Sequence, residues 1–269
     1  MLKEFGLEGK TAIVTGAGRG IGRSIAATFA EAGADVVAAA RTASDIEGTA
    51  EEVRRWGRRC LAIPTDVTKE DQVEGMVQRA LTEFGQLDIL VNNAGAEFTK
   101  PLLPIPGLKV PLSPGVEETP VSLEEWRWLL DTNLSSVFLC TRAVGPHMIQ
   151  RGRGKIINIT SGQGVRATPY MITYSTSKAA VAMFSRCLAQ EWGRYGINVN
   201  ALAPGMVNTP LAEAYFSEES ILQKFLRTIP LKRIAQPREV ALLAVYLASE
   251  ASDYMTGQQL VLDGGGASG

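Results

Sequence analysis

The chain has 269 residues, with 27 Lys+Arg against 28 Asp+Glu and a net charge of −1. That balance leaves no basic stripe for nucleic acid and no acidic tail, and the length is ample for one large core. The three cysteines, Cys60, Cys140 and Cys187, are odd in number, far apart and set among apolar neighbours. They read as small buried hydrophobes in a reducing cytoplasm, not as disulfides or a metal centre. The opening "MLKEFGLEGK" is too charged for a signal peptide, and no apolar run approaches the ~18 residues of a membrane span.

In chain order, "TAIVT" (11–15) reads as a buried strand and 21–33 as a helix ending at Gly33. "DVVAAA" (35–40) is a second strand, and 44–57 a helix with Ser44 placed to cap it. "CLAIP" (60–64) is a strand, 69–85 a helix and "LDILVN" (87–92) a strand. Residues 123–149 form one long helix, 155–160 a strand, 175–193 a helix and 197–203 a strand. A helix over 238–249 and a strand over 258–265 complete the chain. Apolar strands separated by helices predict a single doubly wound α/β domain over 1–269, with seven parallel strands and helices on both faces. One segment departs from the rhythm. Residues 100–120 hold six of the 13 prolines, so an insertion at about 96–121 is expected to be a long loop or flap.

Between the first strand and helix lies "TGAGRGIG", Thr15 to Gly22. Glycines at 16, 18, 20 and 22 let the backbone turn tightly and approach a pyrophosphate, and the following helix start offers free N–H groups. Gly16, Gly18, Arg19, Gly20, Ile21 and Gly22 are therefore candidate dinucleotide contacts. An NAD site usually ends its second strand with an acid that binds the ribose 2′-OH. Here Ala40 and Arg41 stand there, with no carboxylate in 38–43. Arg41, aided by Arg19, suits a 2′-phosphate, so NADP(H) is preferred and NAD(H) is the alternative.

The chain has one histidine, His147, with no second ligand near it; it reads as a helix-end residue, and no metal is expected. Acid–base work must fall elsewhere. "YSTSK" puts Tyr174 and Lys178 one helical turn apart on one face. Lowering a tyrosine from its usual ~10 by ~3 units requires ~4 kcal/mol, and one positive charge ~4 Å away supplies about that at an effective dielectric near 20. Ser161 stands thirteen residues upstream at a strand end, Asn133 lies in "DTNLSS", "NNAG" occupies 92–95 and "APGMVNT" 203–209.

Together these motifs make the chain resemble the short-chain dehydrogenase/reductase superfamily, and within it most nearly the 3-oxoacyl-(acyl carrier protein) reductases. The likeness covers nearly the whole chain except the 96–121 insertion, which is longer than the connection in those reductases. The resemblance implies a catalytic set of Asn133, Ser161, Tyr174 and Lys178. Tyr174 would exchange the proton, Lys178 assist it, Ser161 orient the carbonyl and Asn133 hold a relay water. It also implies that Asp66 and Val67 lie by the adenine and that Asn93 and Gly95 border its ribose. Pro204, Gly205, Val207 and Thr209, with Tyr174 and Lys178, complete the cofactor set. Residues 206–230 would be a substrate lid. The implied protein is a cytoplasmic homotetramer acting on a small-molecule ketone or secondary alcohol, a 3-oxoacyl thioester among the candidates. Two alternatives stand beside it: an NAD(H)-dependent sugar, polyol or steroid dehydrogenase, and a silent cofactor-binding protein of the same fold.

Overall fold

In the computed structural model, residues 2–104, 119–215 and 219–267 are described. The chain alternates β1 (Thr11–Thr15), α1 (Gly20–Glu31), β2 (Asp35–Ala40), α2 (Ala43–Arg55), β3 (Cys60–Pro64), α3 (Glu70–Phe84) and β4 (Ile89–Asn92). The second half runs α4 (Leu123–Leu130), α5 (Ser136–Arg151), β5 (Gly154–Ile159), α6 (Ile172–Trp192), β6 (Ile197–Pro204), α7 (Glu219–Arg227), α8 (Pro237–Ala248) and β7 (Gln259–Leu262). The seven strands form one sheet in the order β3-β2-β1-β4-β5-β6-β7, every pairing parallel. The order reverses direction between β1 and β4, and such a switch point opens a crevice at the carboxyl ends of the strands.

Both faces of the sheet are covered, which is why strands such as β1 are buried at every position. One core holds Ile25 and Phe29 of α1, Ile46 and Val53 of α2, and Val240 and Leu247 of α8. The other joins Val73 and Met76 of α3, Val144 and Met148 of α5, and Leu188 of α6 to Ile13, Leu90 and Val199 of the sheet.

Several sequence expectations shift. Thr42 occupies the cap position of α2, without a side-chain capping bond, so Ser44 lies inside the helix and does not cap it. Helix α1 ends at Glu31, two residues before Gly33. The expected helix 123–149 is two helices joined by a π-helical turn at Asp131–Ser135, closed by Ser136 N–H donating to the Asp131 carbonyl. Ser122 starts α4 with a reciprocal cap: it accepts from Glu125 N–H at 3.1 Å, and the Glu125 carboxylate accepts from Ser122 N–H at 2.8 Å.

Cys140 is buried and Cys60 half-buried, and burial pushes both thiols up to about 12. Cys187, by contrast, is exposed, because it falls on the outer face of α6. His147 lies within α5, where its Nε2 accepts from Leu87 N–H at 3.1 Å. Burial, then the Arg151 charge, lowers its pKa and favours the neutral ring that this bond needs.

Candidate active site

A cleft of about 1290 Å³ opens at the carboxyl ends of the strands. It exceeds the ~300–1,000 Å³ typical of a single-ligand pocket, as befits a dinucleotide and a substrate together. Its first wall is the glycine turn. Gly16 and Gly20 have φ of +64° and +56°, the region that glycine enters without strain. A Cβ on Gly16 would stand 2.9 Å from the Cα of Ala94. Gly16, Gly18, Arg19, Gly20 and Ile21 line the cleft. Gly22 does not: it packs beneath, where a Cβ would come within 2.3 Å of the Gly16 carbonyl oxygen and 2.4 Å of Asn93 Nδ2. A glycine there lets the turn close. The chain therefore presents a backbone cradle that side chains would fill, opening on the start of α1, and these residues fit a pyrophosphate.

The turn is held from β4. Asn93 Nδ2 donates to the carbonyls of Thr15 and Gly16 at 2.9 and 3.2 Å. Thr15 Oγ1 accepts from Asn93 and Ala94 N–H at 3.0 and 3.1 Å. The Asn93 amide thus clamps the turn, whatever its backbone offers a ribose.

Beyond the turn, Arg41 and Arg19 are exposed at the rim of the cleft. Asp66 and Val67 line the same end. The Asp66 carboxylate accepts from Thr68 N–H at 3.0 Å and Thr68 Oγ1 at 2.7 Å. Burial works against its charge, yet these bonds and the Arg41 charge hold its pKa below the usual carboxylate range. A carboxylate outside the 38–43 window also enters the picture. Asp45, on the first turn of α2, lines the cleft, and its Cβ is 2.8 Å from where a Gly18 Cβ would lie.

The catalytic candidates converge on the floor. Tyr174 is the third residue of α6, and Lys178 lies one turn on. Lys178 is 5 % exposed, and its Nζ donates to the Ile159 carbonyl at 3.0 Å. The same nitrogen is 5.7 Å from the centroid of the Tyr174 ring. Burial lowers the Lys178 pKa to about 8, with Glu97 acting the other way. Ser161, at the end of β5, caps a short 3₁₀ turn; its Oγ donates to Gln163 Oε1 at 2.7 Å and accepts from Gln163 N–H at 3.2 Å.

Asn133 is 1 % exposed and lies behind the cleft wall, in the π-helical turn. Its Oδ1 accepts from Ala96 N–H at 2.8 Å, while Nδ2 donates to the Ala96 carbonyl at 2.9 Å and to Ser177 Oγ at 3.1 Å. Both amide hydrogens are therefore spent on protein. The widened turn carries Asn133 inward to make this clamp, a familiar use of such bulges. Gly95 leaves room for it: a Cβ there would lie 3.2 Å from Asn133 Oδ1 and 3.4 Å from Lys178 Nζ.

The far wall is the end of β6. Pro204, Gly205, Val207 and Thr209 all line the cleft, and Thr209 Cγ2 would lie 3.3 Å from a Cβ on Gly20. Gly205 has a packing reason as well, since a Cβ would reach 2.6 Å from Asp263 Cβ. Three residues went unforeseen: Asp45, Gln163 and Glu97. Glu97 lines the cleft, and burial pushes its carboxyl up to about 7 against the opposing pull of Lys178. Trp128 also lines the cleft and stacks on Phe98 at 6.4 Å between centroids. Among the described residues, no cluster of three His, Cys, Asp or Glu side chains could hold a metal ion.

Comparison with known proteins fits this architecture. Residues 16–267 match the family described as enoyl-(acyl carrier protein) reductase. Oxidoreductase UcpA of Salmonella typhimurium is 39% identical over 266 residues, covering 96% of this chain and 95% of that protein. Gluconate 5-dehydrogenase of Gluconobacter oxydans is 37% identical over 261 residues, covering 97% and 96%. A crystal structure of a gluconate 5-dehydrogenase from Burkholderia cenocepacia, in complex with NADP and tartrate, superposes with a TM-score of 0.89 at 36% identity, covering 100% of this chain and 99% of that one. The chain belongs to the short-chain dehydrogenase/reductase superfamily. It is an oxidoreductase acting on CH–OH groups.

Proposed function

We propose that the protein is an NADP(H)-dependent oxidoreductase that interconverts a ketone and a secondary alcohol, with Tyr174 as the proton-exchanging group. The observation that carries this reading is the buried Lys178 ammonium, 5.7 Å from the Tyr174 ring centroid, at the floor of a cleft continuous with the glycine cradle. When bound, the nicotinamide supplies or takes up the hydride. Lys178, with a pKa of about 8, keeps most of its charge at neutral pH. That charge, on the same side of α6 as the Tyr174 ring, favours the tyrosinate over the neutral phenol. Tyr174 Oη then gives its proton to the substrate oxygen in reduction and takes it back in oxidation.

Ser161 Oγ exchanges Gln163 Oε1 for the substrate oxygen and holds it beside Tyr174. Asn133 positions the Ala96 backbone and Ser177. Because its amide is committed, a relay water between Lys178 and solvent would rest on a backbone carbonyl of the π-helical turn. Arg41 and Arg19 serve the 2′-phosphate; the Burkholderia relative's NADP supports this cofactor. Residues 206–230 close over the substrate: Leu211, Ala212 and Phe225 of that segment line the cleft, although 216–218 lie outside the described residues. The insertion at 96–121 forms the opposite wall at its start, with 105–118 outside the described residues.

A homotetramer is proposed as well. Phe138 of α5 and Met183 of α6 supply one exposed apolar face, Leu242 of α8 and Val261 of β7 another. No helix among the described residues is long and apolar enough to cross a membrane, and we place the protein in the cytoplasm.

The test is NADPH oxidation by the purified protein, followed at 340 nm with acetoacetyl-CoA, hydroxylated ketones and cyclic ketones. Turnover of any of them supports the reading. Tight NADPH binding without turnover of a single one would favour the silent-binder alternative.

A further inference from the structure

Residues 94–101 follow β4 and run past the catalytic floor, and their course is fixed at both ends. Ala96 is clamped by Asn133 through both its N–H and its carbonyl. Four residues on, Lys100 N–H donates to the Tyr170 carbonyl at 2.9 Å, and its ammonium pairs with Glu125. Between these anchors the side chains alternate. Ala96 and Phe98 pack on the small cluster of Leu129, Met171 and Tyr174, with Phe98 stacked on Trp128. Glu97, between them, lines the cleft and lies within electrostatic reach of Lys178, the ammonium that serves Tyr174.

Other charged groups on this side are committed or exposed. Asp131 accepts from Ser135 Oγ, and Asp263 from the N–H groups of Gly265 and Ala267. Arg166 donates to the Gly266 carbonyl. Glu124, Arg127 and Lys224 are exposed. Glu97 is the half-buried carboxyl held next to the reacting centre.

A half-buried carboxyl that meets only methylene groups loses its hydrogen bonds when a substrate expels water, whereas a substrate hydroxyl restores them. From this placement, and resting on the oxidoreductase reading above, we infer that Glu97 reads a hydroxyl on the carbon next to the reacting one. The enzyme then takes polyhydroxylated ketones and alcohols, of the sugar-acid or polyol class, over 3-oxoacyl thioesters, whose neighbouring carbon is a methylene. Glu97 is a specificity residue: it touches the substrate beside the carbon that changes oxidation state. The fixed backbone on either side sets the direction in which the Glu97 side chain leaves the chain.

The experiment uses a matched pair, 2-hydroxycyclohexanone and cyclohexanone, with NADPH and the purified protein. The wild type is expected to favour the hydroxyketone in kcat/KM by about tenfold or more. In Glu97→Leu that ratio falls towards one, and in Glu97→Gln, which still hydrogen-bonds, most of it survives; NADPH titration of each variant reports on folding. A wild-type ratio near one overturns the proposal without any variant. A wild-type ratio that persists in Glu97→Leu overturns it too, because the preference then arises elsewhere. Failure of every ketone to oxidise NADPH is a separate result and sinks the oxidoreductase reading itself.

Discussion

A Cβ on Gly22 would stand 2.3 Å from a backbone oxygen of the glycine turn, whereas across the cleft Ser161 Oγ is held by the side chain and N–H of Gln163, two residues away. The cofactor side is made of backbone in close mutual contact, clamped by Thr15 and Asn93 across the switch point. The opposite side is made of side chains such as Glu97 and Gln163, hung on connections between elements. Backbone contacts cannot be exchanged one residue at a time, but side chains can. A scaffold built this way keeps one cofactor and changes its substrates.

The contrast can be broken at four points. The largest effect is expected at Tyr174→Phe, which removes the transferable proton and leaves the cradle untouched. Turnover should fall by about 10²–10⁴-fold, while a fluorescence titration finds NADPH binding nearly intact. Substantial residual turnover would remove Tyr174 from its role. Next, Gly22→Ala should cost about 2–3 kcal/mol of stability in urea denaturation, since the clash is with backbone and the turn must open. A neutral result would mean that the cradle is softer than its contacts imply.

Arg41→Asp should follow, weakening NADPH at least tenfold more than NADH, about 1.4 kcal/mol in differential binding. Equal losses would show that Arg41 does not read the 2′-phosphate, and would direct attention to Asp45 at the same rim. The smallest effect concerns Glu97→Gln. Burial raises the folded-state carboxyl pKa to about 7, so the fold prefers the protonated acid. The stability this gives is present below the unfolded value near ~4.3 and is lost as pH rises through 7. Glutamine does not titrate. Without cofactor, wild type should therefore lose about 1 kcal/mol relative to Glu97→Gln between pH 4.5 and 7.5, after allowance for its partial exposure. A flat difference across that range would remove Glu97 from the buried group beside Lys178.

The same contrast explains what could be read in advance. Apolar runs set between helical patterns located all seven strands to within a few residues, because a parallel sheet covered on both faces leaves its strands largely apolar. The glycine turn and the Tyr174–Lys178 spacing were legible because each lies within one short stretch of chain. Asp45 escaped because it lies beyond the strand end where an acid is usually sought, and only the fold of α2 returns it to Gly18. Glu97 escaped because nothing local marks it; its meaning comes from Lys178, eighty-one residues away in sequence. The long helix was misread for a related reason. Its residues keep helical periodicity through the π-helical turn, and the extra residue shows only in where Asn133 points.

One bond gives the insertion a separate life. Val121 N–H donates to the Pro101 carbonyl at 2.9 Å, so the strands of chain entering and leaving the insertion meet at its neck. Whatever is spliced between them arrives at the same two points, with Ala96 and Ser122 already fixed on either side. The neck works as a socket. Loops of other lengths can be grafted between Pro101 and Val121 while the reacting groups keep their places, which makes this joint the natural place to begin re-engineering the chain for new alcohols.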